Sequence, residues 1–516
     1  MSLPRPTPPR RTGLSELLAH LRTVPPAVID GDPTTVVTGV SLDSRSVRDG
    51  DLFAALPGAN GHGASFAAVV AGRAAALLTD TGGLARARAD GVTLPALLVP
   101  APRDVLGDLA SVIYGNPSRD LDMIGITGTN GKTTTAYLIG SALGALGRSY
   151  GLIGTVETRI ATDAGTQRIT SVRTTPESPD LHALLGVMRE RGARTCVMEV
   201  SSHALAQHRV DGVTYDVALF TNLSQDHLDF HHDMEHYFAA KASLFTPQRS
   251  RAAVICTDTP WGDRLAATAK VPVTTVGSTS AGADWQVTPD SSDPGWFTLR
   301  GPGGTLRLRA ALPGEFNVMN TAMAALALMS LGVPIEDTEA AIRTDPHVPG
   351  RMEQVAGSVL AAAAPRAVVD YAHTPEAVAA ALAALRPSTP GRLVVVLGAG
   401  GDRDRGKRVG MGRAAAHGAD LVVVTDDNPR EEDPATIRAA IMAGVLQVAP
   451  VDRVLEVPGR AEAITAAVRA AGPAGTVAVV GKGHESGQEI AGTLHPFDDR
   501  VELRRALDEV FSGGAA

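Results

Sequence analysis

From about residue 119 to the end, short apolar runs alternate with longer stretches whose apolar residues recur at helical spacing. "LDMIGIT", "RTCVMEV", "YDVALFT" and "AAVICT" predict strands in the middle of the chain; "RAVVDY", "RLVVVLG", "DLVVVT" and "TVAVVG" predict strands near its end. Ala- and Leu-rich stretches between them, such as "TTTAYLIGSALGALG" and "TIRAAIMAGVLQVA", predict helices. Strands alternating with helices imply parallel sheets covered on both faces. "YGNPSRD" at 114–120 gathers Gly, Asn and Pro just before the first strong strand, and "TDPHVPGRME" at 344–353 sets two prolines and a glycine after a helical run. These breaks predict an α/β protein of three domains. A small N-terminal α/β domain spans 1–117, a central P-loop ATPase-like parallel-sheet domain 118–348, and a C-terminal Rossmann-like α/β domain 349–516.

Length agrees with this division, because 516 residues exceed the roughly 250–300 that one core sustains. A formal net charge of −8 speaks against general nucleic-acid binding. The two cysteines, Cys196 and Cys256, supply neither a disulfide framework nor a Cys-based zinc site, which fits a reducing compartment. The opening "MSLPRPTPPRRTGL" lacks the apolar centre of a signal peptide and reads as a disordered tail over 1–14. No uncharged apolar run reaches about 18 residues, so no membrane span is expected. The expectation is a cytoplasmic enzyme, favoured as a monomer, acting on small molecules.

The strongest chemical signal is "LDMIGITGTNGKTTTAYLIG". A strand enters a loop holding Gly128, Thr129, Asn130 and Gly131, and Lys132, Thr133 and Thr134 open a helix. Glycines let backbone N–H groups approach phosphate oxygens, and a helix N-terminus adds free donors and partial positive charge. Lys132 can reach terminal phosphates and the Thr133 hydroxyl can ligate Mg²⁺. The spacing departs from GxxxxGK[ST], because Ile126 stands where the first glycine would be. Glu199 ends the strand of "CVMEVSSHAL", where an acid can face a metal at the neighbouring strand's carboxyl edge. His203, His208, His227, His231 and His232 crowd this domain without the spacing of a zinc motif. Near the end, "LVVVTDDNPREEDP" runs from a buried strand into a turn. Pro429 stiffens that turn, so Arg430 leaves it in a defined direction, suited either to an anion or to pairing with Glu431 or Glu432.

"TGTNGKTTT", "MEVSSHAL" and "TNLSQDHLDFH", followed in order by "FNVMN", "PGRME", "DYAHTP", "GDRDRGKR", "DNPR" and "GKGHE", resemble the Mur ligase family. The match runs from about residue 42 to 485. The resemblance implies an ATP-dependent amide ligase of peptidoglycan precursor synthesis, joining meso-diaminopimelate to the D-Glu side chain of UDP-N-acetylmuramoyl-L-Ala-D-Glu through an acyl phosphate. It further implies that residues 128–134, Asn320, Arg351, Asp370 and His373 bind ATP. Thr133, Glu199, His227 and Lys241 would surround Mg²⁺, with Lys241 carried as the carbamate (N6-carboxylysine). Leu42 and Ser44, with "ANG" at 59–61 nearby, and Thr174, Thr175, Ser201, Gln207 and Arg209 would bind the UDP-linked substrate. Arg173 departs from the small amide residue common at its position. Arg403, Asp427, Asn428, Pro429, Arg430, Gly481 and Glu485 would form the diaminopimelate pocket. Other readings share the cradle, among them a lysine-adding or D-Ala-D-Ala-adding Mur ligase with different pocket residues. A folylpolyglutamate synthase would lack "LDSRSV" and "DNPR", and a P-loop motor or switch would need no amino-acid pocket.

Overall fold

The structure is a computed structural model that describes residues 3–21, 26–58, 61–280, 282–293, 295–357 and 364–511. Ala59 and Asn60 of the "ANG" stretch lie outside the described residues. Three sheets of five or more strands succeed one another along the described residues. The first has five strands, drawn from residues 28–98, in the order Val28–Asp30, Ala96–Leu98, Ala76–Thr79, Asp51–Ala54, Gly39–Ser41. The second has eleven strands between residues 122 and 309, and the third has six between 353 and 480.

The predicted apolar runs form the parallel centres of the second and third sheets. Asp122–Thr127 lies between Thr195–Glu199 and Tyr215–Phe220, parallel to both, with Ile126 opposite Glu199. In the third sheet, Arg366–Asp370, Thr476–Val480, Leu393–Leu397, Leu421–Val424 and Val454–Glu456 are parallel neighbours. Every residue of Leu393–Leu397 is buried, as expected of a strand covered on both faces. The central sheet departs from a purely parallel one at both margins. The hairpin Glu157–Thr162/Gly165–Thr170 and the meander Trp285–Pro289, Trp296–Gly301, Gly304–Arg309 are antiparallel. Their turns are too short for a crossover helix, and burial alternates along Gly304–Arg309, the signature of a one-sided strand.

The opening segment corrects the disordered-tail expectation. From Leu3 it lies between the first two domains. Leu3 packs on the central core, Arg5 pairs with buried Asp51, and the Thr7 N–H donates to the Glu190 carboxylate (3.0 Å). Prolines lower the entropy lost in ordering such a segment, and a buried acid gives Arg5 a partner.

Beneath the carboxyl edge of the third sheet, Arg460 Nε and Nη2 each donate to Asp499 at 2.7 Å, and both side chains are fully buried. Arg460 Nη2 also donates to Val480 O and Nη1 to Asp426 O, tying two strand ends together. Asp499→Ala would strand a buried guanidinium, so chemical denaturation should show a loss of about 3–5 kcal/mol.

Candidate functional site

At the carboxyl end of Asp122–Thr127 the chain turns through Gly128 (φ +148°) and Gly131 (φ +89°) into the helix Lys132–Ala145. Each glycine is required twice over. The backbone is left-handed, and a Cβ would collide with Thr221 Oγ1 at Gly128 and with Asn320 Oδ1 at Gly131. Ile126, which replaces the first glycine of the usual motif, is a fully buried strand residue, so the loop begins only after it. Lys132 Nζ folds back to donate to Gly128 O and Thr129 O, both at 2.8 Å.

Glu199 is buried opposite this helix start. Its carboxylate accepts from Thr133 Oγ1 (3.0 Å), Thr155 Oγ1 (3.0 Å) and the Thr155 N–H (2.9 Å). His227 sits at φ +55°, and burial beside Lys241 and Lys132 pushes its imidazole down to about 3, leaving it neutral. Lys241 is 1% exposed, not the solvated helix lysine that its setting in "HYFAAKASLF" suggests when read alone. Its Nζ donates to Gly128 O (2.9 Å) and lies 4.6 Å from the centre of the Tyr237 ring. Burial first, then the charge of Lys132, lowers its pKa well below the ordinary lysine value.

The end of the central domain and the start of the C-terminal domain face this cradle. Asn320 is buried on the helix Glu315–Ser330, where its amide donates to Asn317 Oδ1. Arg351 lies 4.2 Å over the Tyr371 ring and reaches Thr133 Oγ1 at 3.4 Å. Asp370 accepts the N–H groups of Met352 (2.7 Å) and Ala372 (2.8 Å), and burial raises its pKa. His373 Nε2 approaches Asp226 of the central domain at 3.6 Å, and Lys407 Nζ approaches the same carboxylate at 3.4 Å. Burial alone would raise the Asp226 pKa, but His373 and the neighbouring cations hold it far below the carboxylate range. Between the two domains lies a cavity of about 510 Å³ lined by residues 129–134, Glu199, His227, Lys241, Asn320, Arg351 and Asp370. It brings together the predicted nucleotide and metal residues, apart from Gly128, which shapes the loop from behind.

Thr174 and Ser201 line the same cavity. Thr174 Oγ1 is 3.0 Å from Thr155 Oγ1, Thr175 Oγ1 donates to Glu199 O (2.8 Å), and Ser201 caps the helix Ser202–Ala206. Arg209 contacts the Gln207 side chain, Thr175 O (3.4 Å) and Glu177 (3.0 Å). Arg173 pairs with Glu177 and is half exposed, so its charge is already engaged. Leu42 packs on the N-terminal core and Ser44 sits in the turn after Gly39–Ser41; neither lines the central cavity.

The third cluster stands where strands of the C-terminal sheet end. Asn428 Nδ2 donates to Glu485 Oε2 (2.9 Å), and fully buried Lys482 donates to Asn428 Oδ1 and Glu485 Oε2, both at 3.0 Å. A Cβ on Gly481 would press on Asp427 Oδ2. Arg430 Nη1 donates to Gly401 O (2.7 Å), two residues before exposed Arg403. Arg403 has no hydrogen bond or ion pair among the described residues. Arg430 does not pair with Glu431 or Glu432: Glu432 holds buried Arg408 at 2.8 Å, and Arg430 Nε turns to Glu489 at 3.1 Å. Thr155, Asp226, Lys407, Lys482 and Glu489 escaped the reading of the sequence. Asp226, Lys407 and Lys482 lie inside the quoted stretches "QDHLDFH", "GDRDRGKR" and "GKGHE"; Thr155 and Glu489 carried no local signal.

The profile of the Mur ligase middle domain matches residues 126–329, and that of the Mur ligase glutamate ligase domain matches 350–483. The chain belongs to the Mur ligase family of ATP-dependent ligases. It is 50% identical, over 98% of both chains, to the UDP-N-acetylmuramoyl-L-alanyl-D-glutamate–2,6-diaminopimelate ligase of Streptomyces avermitilis. It is 44% identical, again over 98% of both, to the UDP-N-acetylmuramyl-tripeptide synthetase of Leifsonia xyli. A solved structure titled UDP-N-acetylmuramoyl-L-alanyl-D-glutamate–2,6-diaminopimelate ligase superimposes with a TM-score of 0.65 at 32% identity, covering 97% of this chain and 99% of that one.

Proposed function

We propose that this chain joins meso-diaminopimelate to the D-Glu side-chain carboxylate of UDP-N-acetylmuramoyl-L-Ala-D-Glu, converting ATP to ADP and phosphate. The observation that carries the amino-acid choice is Arg430, held at the carboxyl edge of the C-terminal sheet beside Asn428 and Glu485. The nucleotide phosphates lie in the cradle 128–134, against Lys132 and Arg351. Asn320, Asp370 and His373 complete that side of the cavity. Leu42 and Ser44 take the uridine end of the substrate, and Thr174, Thr175, Ser201, Gln207 and Arg209 take its peptide end.

Thr133, Glu199 and neutral His227 offer oxygen and nitrogen donors, and Lys241 adds two oxygens when it carries CO₂. No group of three His, Cys, Asp or Glu side chains converges among the described residues. That suits Mg²⁺, which keeps several waters and shares the substrate's phosphates, better than a metal needing a closed protein cage. Bound there, Mg²⁺ would neutralise phosphate charge during transfer. The chain's own groups align the reaction. The D-Glu carboxylate takes the γ-phosphoryl group, the diaminopimelate amine attacks the acyl phosphate, and the tetrahedral intermediate releases phosphate. Such positioning is worth about 7–11 kcal/mol.

Phosphate release should require both the UDP-dipeptide and diaminopimelate; release in their absence would point to a motor or switch. Meso-diaminopimelate differs from L-lysine by one distal carboxylate, which a guanidinium can grip through two parallel N–H donors. The wild type should prefer diaminopimelate by on the order of 10²–10³ in kcat/KM. Arg430→Ala should lose most of that ratio and keep its KM for ATP. Equal use of both amines by the wild type, or an unchanged ratio in the variant, would refute the assignment.

A further inference from the structure

The loop 427–430 is held from outside by a hairpin of Gly487–Ile490 and Thr493–Pro496. Gln488 Nε2 donates to Asp427 O (2.7 Å), and the Glu489 N–H donates to Asn428 Oδ1 (3.0 Å). The Arg430 N–H donates to Glu489 O (3.0 Å), and the Ala491 N–H donates to Arg430 O (2.8 Å). Arg430 itself is left-handed at φ +53°, a conformation that a side chain of this size adopts only when its surroundings enforce it. The hairpin is largely exposed, with Leu494 at 71%, so core packing does not account for this set of bonds.

The guanidinium is anchored at two points. Nη1 donates to Gly401 O and Nε donates to Glu489 Oε2. Nη2 has no partner among the described residues. With Nε and Nη1 both engaged, the plane of the guanidinium is fixed, and Nη2 keeps its N–H donors for a ligand. A carboxylate accepts such charged donors.

We propose that Glu489 is a positioning residue that aims Arg430 at the distal carboxylate of the incoming diamino acid. This rests on the reading of Arg430 given above. Steady-state kinetics of E489A, E489Q and R430A, with melting temperatures, test it. E489A should raise KM for meso-diaminopimelate by about 10-fold, with KM for ATP and turnover at saturation within about twofold of wild type. E489Q keeps an oxygen acceptor for Nε and should return KM to within about threefold of wild type. The proposal is overturned if E489A leaves that KM unchanged, if E489Q is as impaired as E489A, or if all kinetic constants fall together with the melting temperature. R430A separates the two claims. If it leaves KM for diaminopimelate unchanged, the reading of Arg430 fails; if it raises KM while E489A does not, only the role of Glu489 fails.

Discussion

Lys132→Ala abolishes ligation, with turnover down by about 10³-fold, while the protein keeps its fold. The ammonium group lies inside the cradle, bonded to two carbonyls of its own loop rather than to a core partner. Those bonds park the charge where phosphate oxygens would draw it. Losing them weakens the loop, but Lys241 also donates to the Gly128 carbonyl and keeps that acceptor satisfied. The two effects oppose each other, and melting without nucleotide should change by less than about 1 kcal/mol. The stabilisation that ATP gives the wild type should largely vanish, because binding to the native state alone raises its melting temperature. Calorimetry with and without ATP, beside a phosphate-release assay, checks both. Ligation near the wild-type rate would remove Lys132 from the chemistry.

Lys241→Ala should lower turnover by several kcal/mol of transition-state stabilisation, again about 10³-fold. The environment of Lys241 favours the amine over the ammonium form: it is buried, near another lysine, with one carbonyl acceptor and an aromatic face. The neutral amine is the form that reacts with CO₂, and burial raises its share relative to an exposed lysine. The carbamate would place an anion beside Lys132. Short-chain carboxylic acids should restore part of the activity of Lys241→Ala by occupying the space of the missing carbamate. Intact-mass spectrometry under CO₂ with chemical trapping should find the adduct on wild type and not on the variant. Normal turnover of the variant at low Mg²⁺ would return Lys241 to a packing role.

How far the site was legible follows from where each residue's partners lie. The cradle is one continuous segment, so its strand, glycines and helix start could be read together. Glu199 could be placed because a strand end in a parallel sheet points to a known edge. Asn320 and Lys241 read alone as surface residues, since nothing within a few positions of either shows the loop that buries them. Arg430 read as a grip for an anion or, failing that, as a partner of Glu431 or Glu432. The chain instead brings Glu489 from 59 positions away. The opening segment misled for the same reason: Pro and Arg suggest disorder until Asp51 and Glu190 are brought beside them.

The order of apolar runs and turns was enough to determine α/β architecture, parallel sheets and a glycine-rich strand-to-helix loop, because these depend on periodicity and on contacts a few residues apart. The sequence also carried the motifs that place the chain in its family. Tertiary structure alone decided that Asp226 meets His373 and Lys407 across two domains, and that Lys241 is buried against Gly128. It likewise decided that Lys482 ties Asn428 to Glu485. Each of these contacts joins distant segments at the carboxyl edges of different strands. Their energies depend on burial and mutual charge, which exist only after the sheets have packed.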